Sequence, residues 1–204
     1  MPIESAAPLD APGLLYELPS VVERLALDEL FSVAQPLEVE LGCGDASFLV
    51  DYASRHPRHN FIGVERLLGR IRKLDRKGRR AGLTNLRGVR IECGYFLEWL
   101  LPPGSAHVLH VYFPDPWPKK KHARHRLINE RFPVLARAAL SPGGLVYLRT
   151  DDADYFKQMT DVFAGRREFE PTETPADLAA LPTDFEREFT ERGVRTLRAA
   201  YRRS

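Results

Sequence analysis

Apolar residues recur along this chain with two alternating periods. Ser20-Val-Val-Glu23 has the form of a capping box, and the apolar positions around it (Val21, Leu25, Leu27, Leu30, Phe31) predict a helix over roughly 20–34. Leu37-Glu-Val-Glu-Leu41 alternates apolar and acidic residues ahead of Gly42, the period of a strand. A helix from Asp45 to His56 stopped by Pro57, a second strand over Phe61–Glu65 and a basic helix over 66–82 follow. Val89–Cys93 is expected as a third strand, with a short helix over Phe96–Leu101 closed by Pro102 and Pro103. Ala106–Phe113 and Gly144–Arg149 are the fourth and fifth strands, trailed by helices over Arg126–Leu140 and Asp152–Phe163. The rest reads as a loop over Pro171–Pro182, a short segment around Phe185 and a late strand over Val194–Tyr201. Repeated βα units of this length predict an α/β fold, a mostly parallel central sheet with helices on both faces. No repeat or low-complexity linker divides the chain, so one domain over 1–204 is expected, with 1–19 extended ahead of the leading helix.

Composition narrows the class. With 204 residues, 44% hydrophobic and 28% charged, the chain can form a normal core, which excludes disorder as its main state. No apolar run approaches the ~18 residues of a membrane span, and Leu97–Leu101 is interrupted by Glu98. Met1–Asp10 has two acids and no apolar run, so no secretory signal is expected. Cys43 and Cys93 cannot build a disulfide framework, which makes the reducing cytoplasm the expected compartment. Charge changes the picture more. The net value of +2 hides three runs (66–90, 115–131 and 192–204) that hold 21 of the 30 basic residues and only 3 of the 28 acids. Any one run is most simply a solvated face; three together fit a polyanion binder if the fold gathers them on one side.

Two segments carry candidate chemistry. Glu40-Leu-Gly42-Cys-Gly44-Asp-Ala-Ser47 places two glycines in the turn after the first strand, where a tight backbone lets a ligand approach. Ser47 stands where a dinucleotide fingerprint needs its third glycine, which argues against a diphosphate. Glu65, 21 residues past Gly44, can accept both hydroxyls of a ribose. Beside Glu40 for a cationic group, this pattern suits S-adenosylmethionine better than NAD; the alternative is a pair of solvated strand-end acids. Cys43 is expected only to pack. The second segment, Phe113-Pro114-Asp115-Pro116-Trp117-Pro118-Lys119-Lys120-Lys121-His122, uses three prolines to hold an acid and an indole at the end of a central strand. An aromatic plane beside basic residues suits a splayed-out base with its phosphates alongside. His56/His59 and His122/His125 are three apart without a carboxylate or cysteine set, so no metal is expected. His107 and His110 read as structural.

At these residues the chain resembles the tRNA (guanine-N7-)-methyltransferases, from about Leu37 onward. The resemblance rests on the Phe113–His122 stretch, on Thr183-Asp-Phe185-Glu186 followed by Gly193, and on Thr150-Asp151 after the fifth strand. It implies a Rossmann-like class I methyltransferase fold with a late antiparallel strand, S-adenosyl-L-methionine as cofactor, tRNA as partner, no membrane, a monomer or homodimer, and methylation of a variable-loop guanine. By the same resemblance Glu40 and Glu65 contact the cofactor, on either side of the turn in which Gly42 and Gly44 are expected to meet it. Asp115 lies at both cofactor and reacting base, and Lys119, Asp151, Thr183 and Glu186 engage the guanosine. Two departures stand out. After the third strand the family carries an acid, whereas this chain reads Cys93-Gly94-Tyr95-Phe96; either Gly94 and Tyr95 meet the adenine, or Glu92 supplies the polar contact. Residues 1–19 hold only acids where many members have a basic tail.

Thr183 and Glu186 also form a capping box, and both readings can hold. Competing functions are an RNA-binding protein that keeps the fold with weak or no catalysis, and a nucleobase methyltransferase acting on another RNA. Exocyclic-amine methylation would call for Asp/Asn-Pro-Pro-aromatic, and carbon methylation for a cysteine near the fourth strand; neither is present.

Overall fold

Residues 13–204, apart from the side chains of Lys120 and Ala123, are described by the computed structural model; residues 1–12 of the expected N-terminal segment lie outside the described residues. In chain order the elements are β1 (Leu15–Tyr16), α1 (Leu27–Leu30), β2 (Leu37–Leu41), α2 (Ser47–Arg55), β3 (Asn60–Val64), α3 (Leu68–Arg80), β4 (Leu86–Val89), α4 (Cys93–Tyr95) running into a π-helical turn (Phe96–Leu100), and β5 (Ala106–Tyr112). A 3-10 turn (Lys120–His125), α5 (Phe132–Ala139), β6 (Leu140–Thr150), α6 (Ala153–Phe163), β7 (Phe169–Thr172), α7 (Ala176–Ala180), α8 (Asp184–Glu191) and β8 (Leu197–Arg203) follow.

The strands form one sheet in the order β1-β4-β3-β2-β5-β6-β8-β7. The first six are parallel, while β8 runs antiparallel to both β6 and β7. Alternation along each strand divides the core. Val39, Ile62, Val64, Leu109 and Leu148 pack with Phe96, Phe132 and Tyr155 on one face. Phe61, Leu86, Tyr112 and Tyr147 pack with Phe48, Leu49, Ile71 and Leu74 on the other.

The acidic alternation of β2 proves to be buried rather than solvated. The Glu38 carboxylate is bonded to His110 Nε2 at 2.7 Å and His59 Nδ1 at 2.5 Å. Burial pushes its pKa up, but the bonds and charges of the two histidines outweigh that and hold it below the usual value. His110 is thus structural, as its strand position suggests.

Several predicted elements are redrawn. The leading helix shrinks to α1. Ser20 Oγ does accept from the Val22 and Glu23 N–H groups, but as an isolated turn. The chain is instead held against the end of the π-helical turn by Leu25 N–H to Leu100 O and Arg24 to Leu101 O, leaving Val22 77% exposed. The third strand lies earlier than expected, because Glu92 accepts from the Gly94 and Tyr95 N–H groups and turns Cys93 into a helix. The helix expected from Arg126 starts at Phe132, since Arg126 is buried and bonded to Pro116 O, Gln158 and Asp154. The loop expected over 171–182 contains the end of β7 and all of α7.

Candidate active site

The winding of the sheet reverses at β2, with β3 and β4 added on one side and β5 and β6 on the other. Open α/β sheets bind ligands outside the carboxyl ends of the strands at such a point. Here β2 leads into Gly42-Cys43-Gly44 and β5 into Phe113-Pro114-Asp115. A cleft of about 270 Å³ opens there, with Glu40, Gly42, Gly44 and Tyr112 at its base and Phe113 and Thr183 on one wall.

Gly42 and Gly44 have φ of +82° and +56°, and a Cβ at either would meet nothing within 4 Å. Backbone conformation, rather than lack of room, therefore requires glycine in this turn. Glu40 is buried, and among the described residues its Oε2 has no hydrogen-bond partner. Burial pushes its carboxyl up to about 8, against the opposing pull of Arg149. Cys43 is buried beside it and its thiol is pushed well up, so it packs rather than reacts.

Glu65 ends β3, buried, with Oε1 accepting from the Leu67 N–H at 2.8 Å. Gly94 and Tyr95 lie after β4 in a second recess shared with Glu92 and Arg124. Both Glu92 oxygens are engaged as the helix cap, and the Tyr95 hydroxyl donates to Val21 O at 2.7 Å. Neighbouring strands are spaced ~4.8 Å, so the ends of β2, β3 and β4 form a row roughly 10 Å long. Of the expected cofactor residues, Glu40, Gly42 and Gly44 share the cleft; Glu65, Gly94 and Tyr95 lie along the row outside its lining, and Asp115, two residues past Phe113, is outside it as well.

The Pro-Asp-Pro-Trp loop is held between two residues in the left-handed region, Phe113 (φ +50°) and Trp117 (φ +44°), a costly conformation for large side chains. Asp115 is exposed, with Oδ1 accepting from the Trp117 N–H at 3.0 Å. Trp117 is half-buried against His125, ring centres 5.2 Å apart, and His122, at 5.8 Å. Lys119 and Asp151 are exposed at the ends of the β5 loop and β6.

Thr183 and Glu186 complete the capping box of α8, with Thr183 Oγ accepting from the Glu186 N–H at 3.1 Å. Glu186 is buried, and its oxygens are taken by Arg149 (2.6 Å), the Thr183 N–H (2.9 Å) and Arg198 (2.7 Å). Burial would raise its pKa, but these donors hold it below the usual value. Arg149, which no local motif of the sequence marks, is central to this arrangement. Its guanidinium also donates to Leu181 O and Leu178 O and lies 4.3 Å from the Tyr112 ring centre. A lone arginine at the end of an otherwise apolar strand was the available signal.

The basic runs are only partly surface. Lys77 bonds Asp45 and Ser47, Arg87 lies over the Phe31 ring, and Arg126 is internal. Of the rest, the start of α3, the Lys119–Arg124 segment and Arg195 lie at the carboxyl ends of the parallel strands, whereas Arg79 and Arg80 at the end of α3 and Arg202 and Arg203 at the end of β8 lie toward the opposite end.

The structure resembles the 16S rRNA methyltransferase KamB, with a TM-score of 0.63 and 17% identity over 89% of this chain and 95% of that one. It also resembles a geranyl diphosphate methyltransferase solved with GPP and sinefungin, with a TM-score of 0.57 and 15% identity over 87% and 76%. The fold is that of the class I S-adenosylmethionine-dependent methyltransferases. Residues 34–202 match the sequence model of a family described as "Putative methyltransferase". The chain is 32% identical over 184 residues to the tRNA (guanine-N(7)-)-methyltransferase of Alkalilimnicola ehrlichii, covering 90% of this chain and 78% of the relative. It is 35% identical to that of Halorhodospira halophila, covering 83% and 74%. This chain belongs to the tRNA (guanine-N7-)-methyltransferase family. No helix of the described residues is long and apolar enough to cross a membrane.

Proposed function

We infer that this protein methylates N7 of a guanine in tRNA with S-adenosylmethionine, yielding 7-methylguanosine in the variable loop, and that it does so in the cytoplasm. The observation that carries this reading is the meeting, at the point where the sheet reverses, of the Glu40 glycine turn and the strained Pro-Asp-Pro-Trp loop in a chain of this family.

The residues present fit the cofactor. Glu40 offers a buried, unpartnered oxygen suited to an ammonium group, and the glycine turn offers open backbone. Glu65, one strand over, faces the place of a ribose, and Gly94 with Tyr95 borders the place of an adenine, since Glu92 is engaged as a cap. When bound, the cofactor supplies an electrophilic methyl group on a sulfonium. Guanine N7 is a bare lone pair, so no side chain has to remove a proton before attack. The work left to the protein is alignment and charge stabilisation.

Asp115, fixed by its bond to the Trp117 N–H, accepts from the donor edge of the guanine and offsets the positive charge developing on the ring. Thr183 accepts from the Glu186 N–H and keeps its own hydroxyl proton for a guanine acceptor. Lys119 and Asp151 flank the substrate, while Glu186, filled by its three donors, supports the guanosine site by holding α8 in place.

Tritiated methyl transfer to unmodified tRNA followed by nucleoside analysis tests the function. 7-Methylguanosine is the expected product; label elsewhere, or none, sinks it. Asp115→Asn, which can still accept from Trp117, should lower turnover on the order of 100-fold while cofactor affinity stays within a few-fold. Turnover like that of the unaltered protein would remove Asp115 from the reaction. tRNA affinity should fall about a hundredfold between roughly 50 and 200 mM salt, the response of about four phosphate contacts. A flat response would reduce the basic residues at the strand ends to a solvated surface.

A further inference from the structure

The outer part of the cleft has two unlike walls. On α3, Arg70 and Lys73 lie about one turn apart and line the cleft opposite Phe113, Thr183 and Phe185. Neither side chain has a hydrogen bond or ion pair among the described residues, in contrast to Lys77 on the same helix, which is bonded to Asp45 at 2.7 Å. The acids on the facing wall are already matched: Asp184 pairs with Arg187 and Glu188 with Arg192. Two uncompensated positive charges therefore face the cleft from α3.

The opposite wall is aromatic. Phe185 packs 5.9 Å from Phe113 and 6.2 Å from Phe189 between ring centres, yet stays 46% exposed at the mouth. Arg149, through Glu186, holds the helix that carries it. An exposed ring face across from a cation pair matches a nucleotide, whose base stacks and whose phosphate takes charge-assisted hydrogen bonds.

We propose that Arg70 and Lys73 clamp a phosphate of the unstacked target nucleotide while its base lies against the Phe113–Phe185 wall. This rests on the tRNA-guanine reading above and adds to it the residues that hold the nucleotide out of its helix. The same cations would also suit the cofactor's carboxylate, and the experiment separates the two sources.

Equilibrium binding of GMP and of guanosine to the full chain, with S-adenosylhomocysteine present, needs no turnover. The unaltered protein should bind GMP about tenfold more tightly than guanosine. In Arg70→Gln/Lys73→Gln that preference should vanish, KM for tRNA should rise about tenfold, and cofactor affinity should stay unchanged. Both side chains are exposed, so the variant keeps its fold, which an unchanged melting temperature verifies. Phe185→Ala should weaken both ligands alike, on the order of tenfold, with Phe185→Tyr restoring them. A preference for GMP that survives in the double variant overturns the proposal. So does a loss of cofactor affinity in that variant, which would assign the pair to the cofactor's carboxylate. Absence of 7-methylguanosine from the unaltered protein would be a separate result, bearing on the reaction and not on which residues bind phosphate.

Discussion

Glu40→Gln should make the cofactor-free protein more stable and nearly unable to bind S-adenosylmethionine. The Glu40 carboxyl is buried without a partner at Oε2 and titrates near 8, above the ordinary glutamate value. Between the unfolded value of about 4.3 and about 8, the unfolded chain has lost this proton while the folded chain keeps it, so stability falls as pH rises through that window. At pH 7 the cost is on the order of 3 kcal/mol, and it is absent below about pH 4. A neutral amide of the same shape avoids it. Urea unfolding of both proteins at pH 5 and pH 8 should show the variant's advantage growing with pH; an advantage independent of pH would mean the carboxyl is not held neutral. Cofactor binding should respond in the opposite sense. The carboxylate must form to meet the ammonium, so affinity should rise about tenfold per pH unit from roughly 6 to 8. Above that the ligand's own amino group, with an ordinary pKa of about 7.7–8.0, loses its charge. Calorimetry should show this rise in the unaltered protein, and binding at least 100-fold weaker without the rise in Glu40→Gln.

Glu186→Ala should destabilise the fold by about 3–5 kcal/mol, because it strands the buried Arg149 guanidinium without its counter-charge. The damage is expected to be local at first. Arg149 reaches Leu178 in α7, Leu181 at the end of α7 and Glu186 in α8, so the segment 176–191 should gain hydrogen exchange before the parallel strands do. Unchanged exchange there would mean the segment is held by apolar packing alone. Since its donors keep the Glu186 pKa below the usual value, its contribution is present above the unfolded value of about 4.3 and lost as pH falls through the lower folded value.

These two positions mark how far local pattern carried. Glu40 was legible because strand, glycine turn and acid lie within five residues, and the function of such a turn follows from its backbone. Asp115 stood out as a candidate because prolines on both sides hold it in a stiff loop at the end of a central strand. Glu186 showed its cap, three residues from Thr183, but not the arginine 37 residues away that fills it. The helix expected over 20–34 failed for the same reason. Its apolar positions are real and Leu25, Leu30 and Phe31 are buried, but contacts with Leu100 and Leu101 set their path.

The charge segregation shows the division most clearly. By itself the sequence determined the order of βα units, the family, and the collection of basic residues into three runs, since each is written in neighbouring residues. Only the tertiary structure decided which of those charges are free. Arg126 is drawn inward to Asp154 and Lys77 to Asp45, while Arg70 and Lys73 are left facing the cleft. Burial and the partner that offsets it depend on residues about 30 or more positions apart, which a local period does not encode.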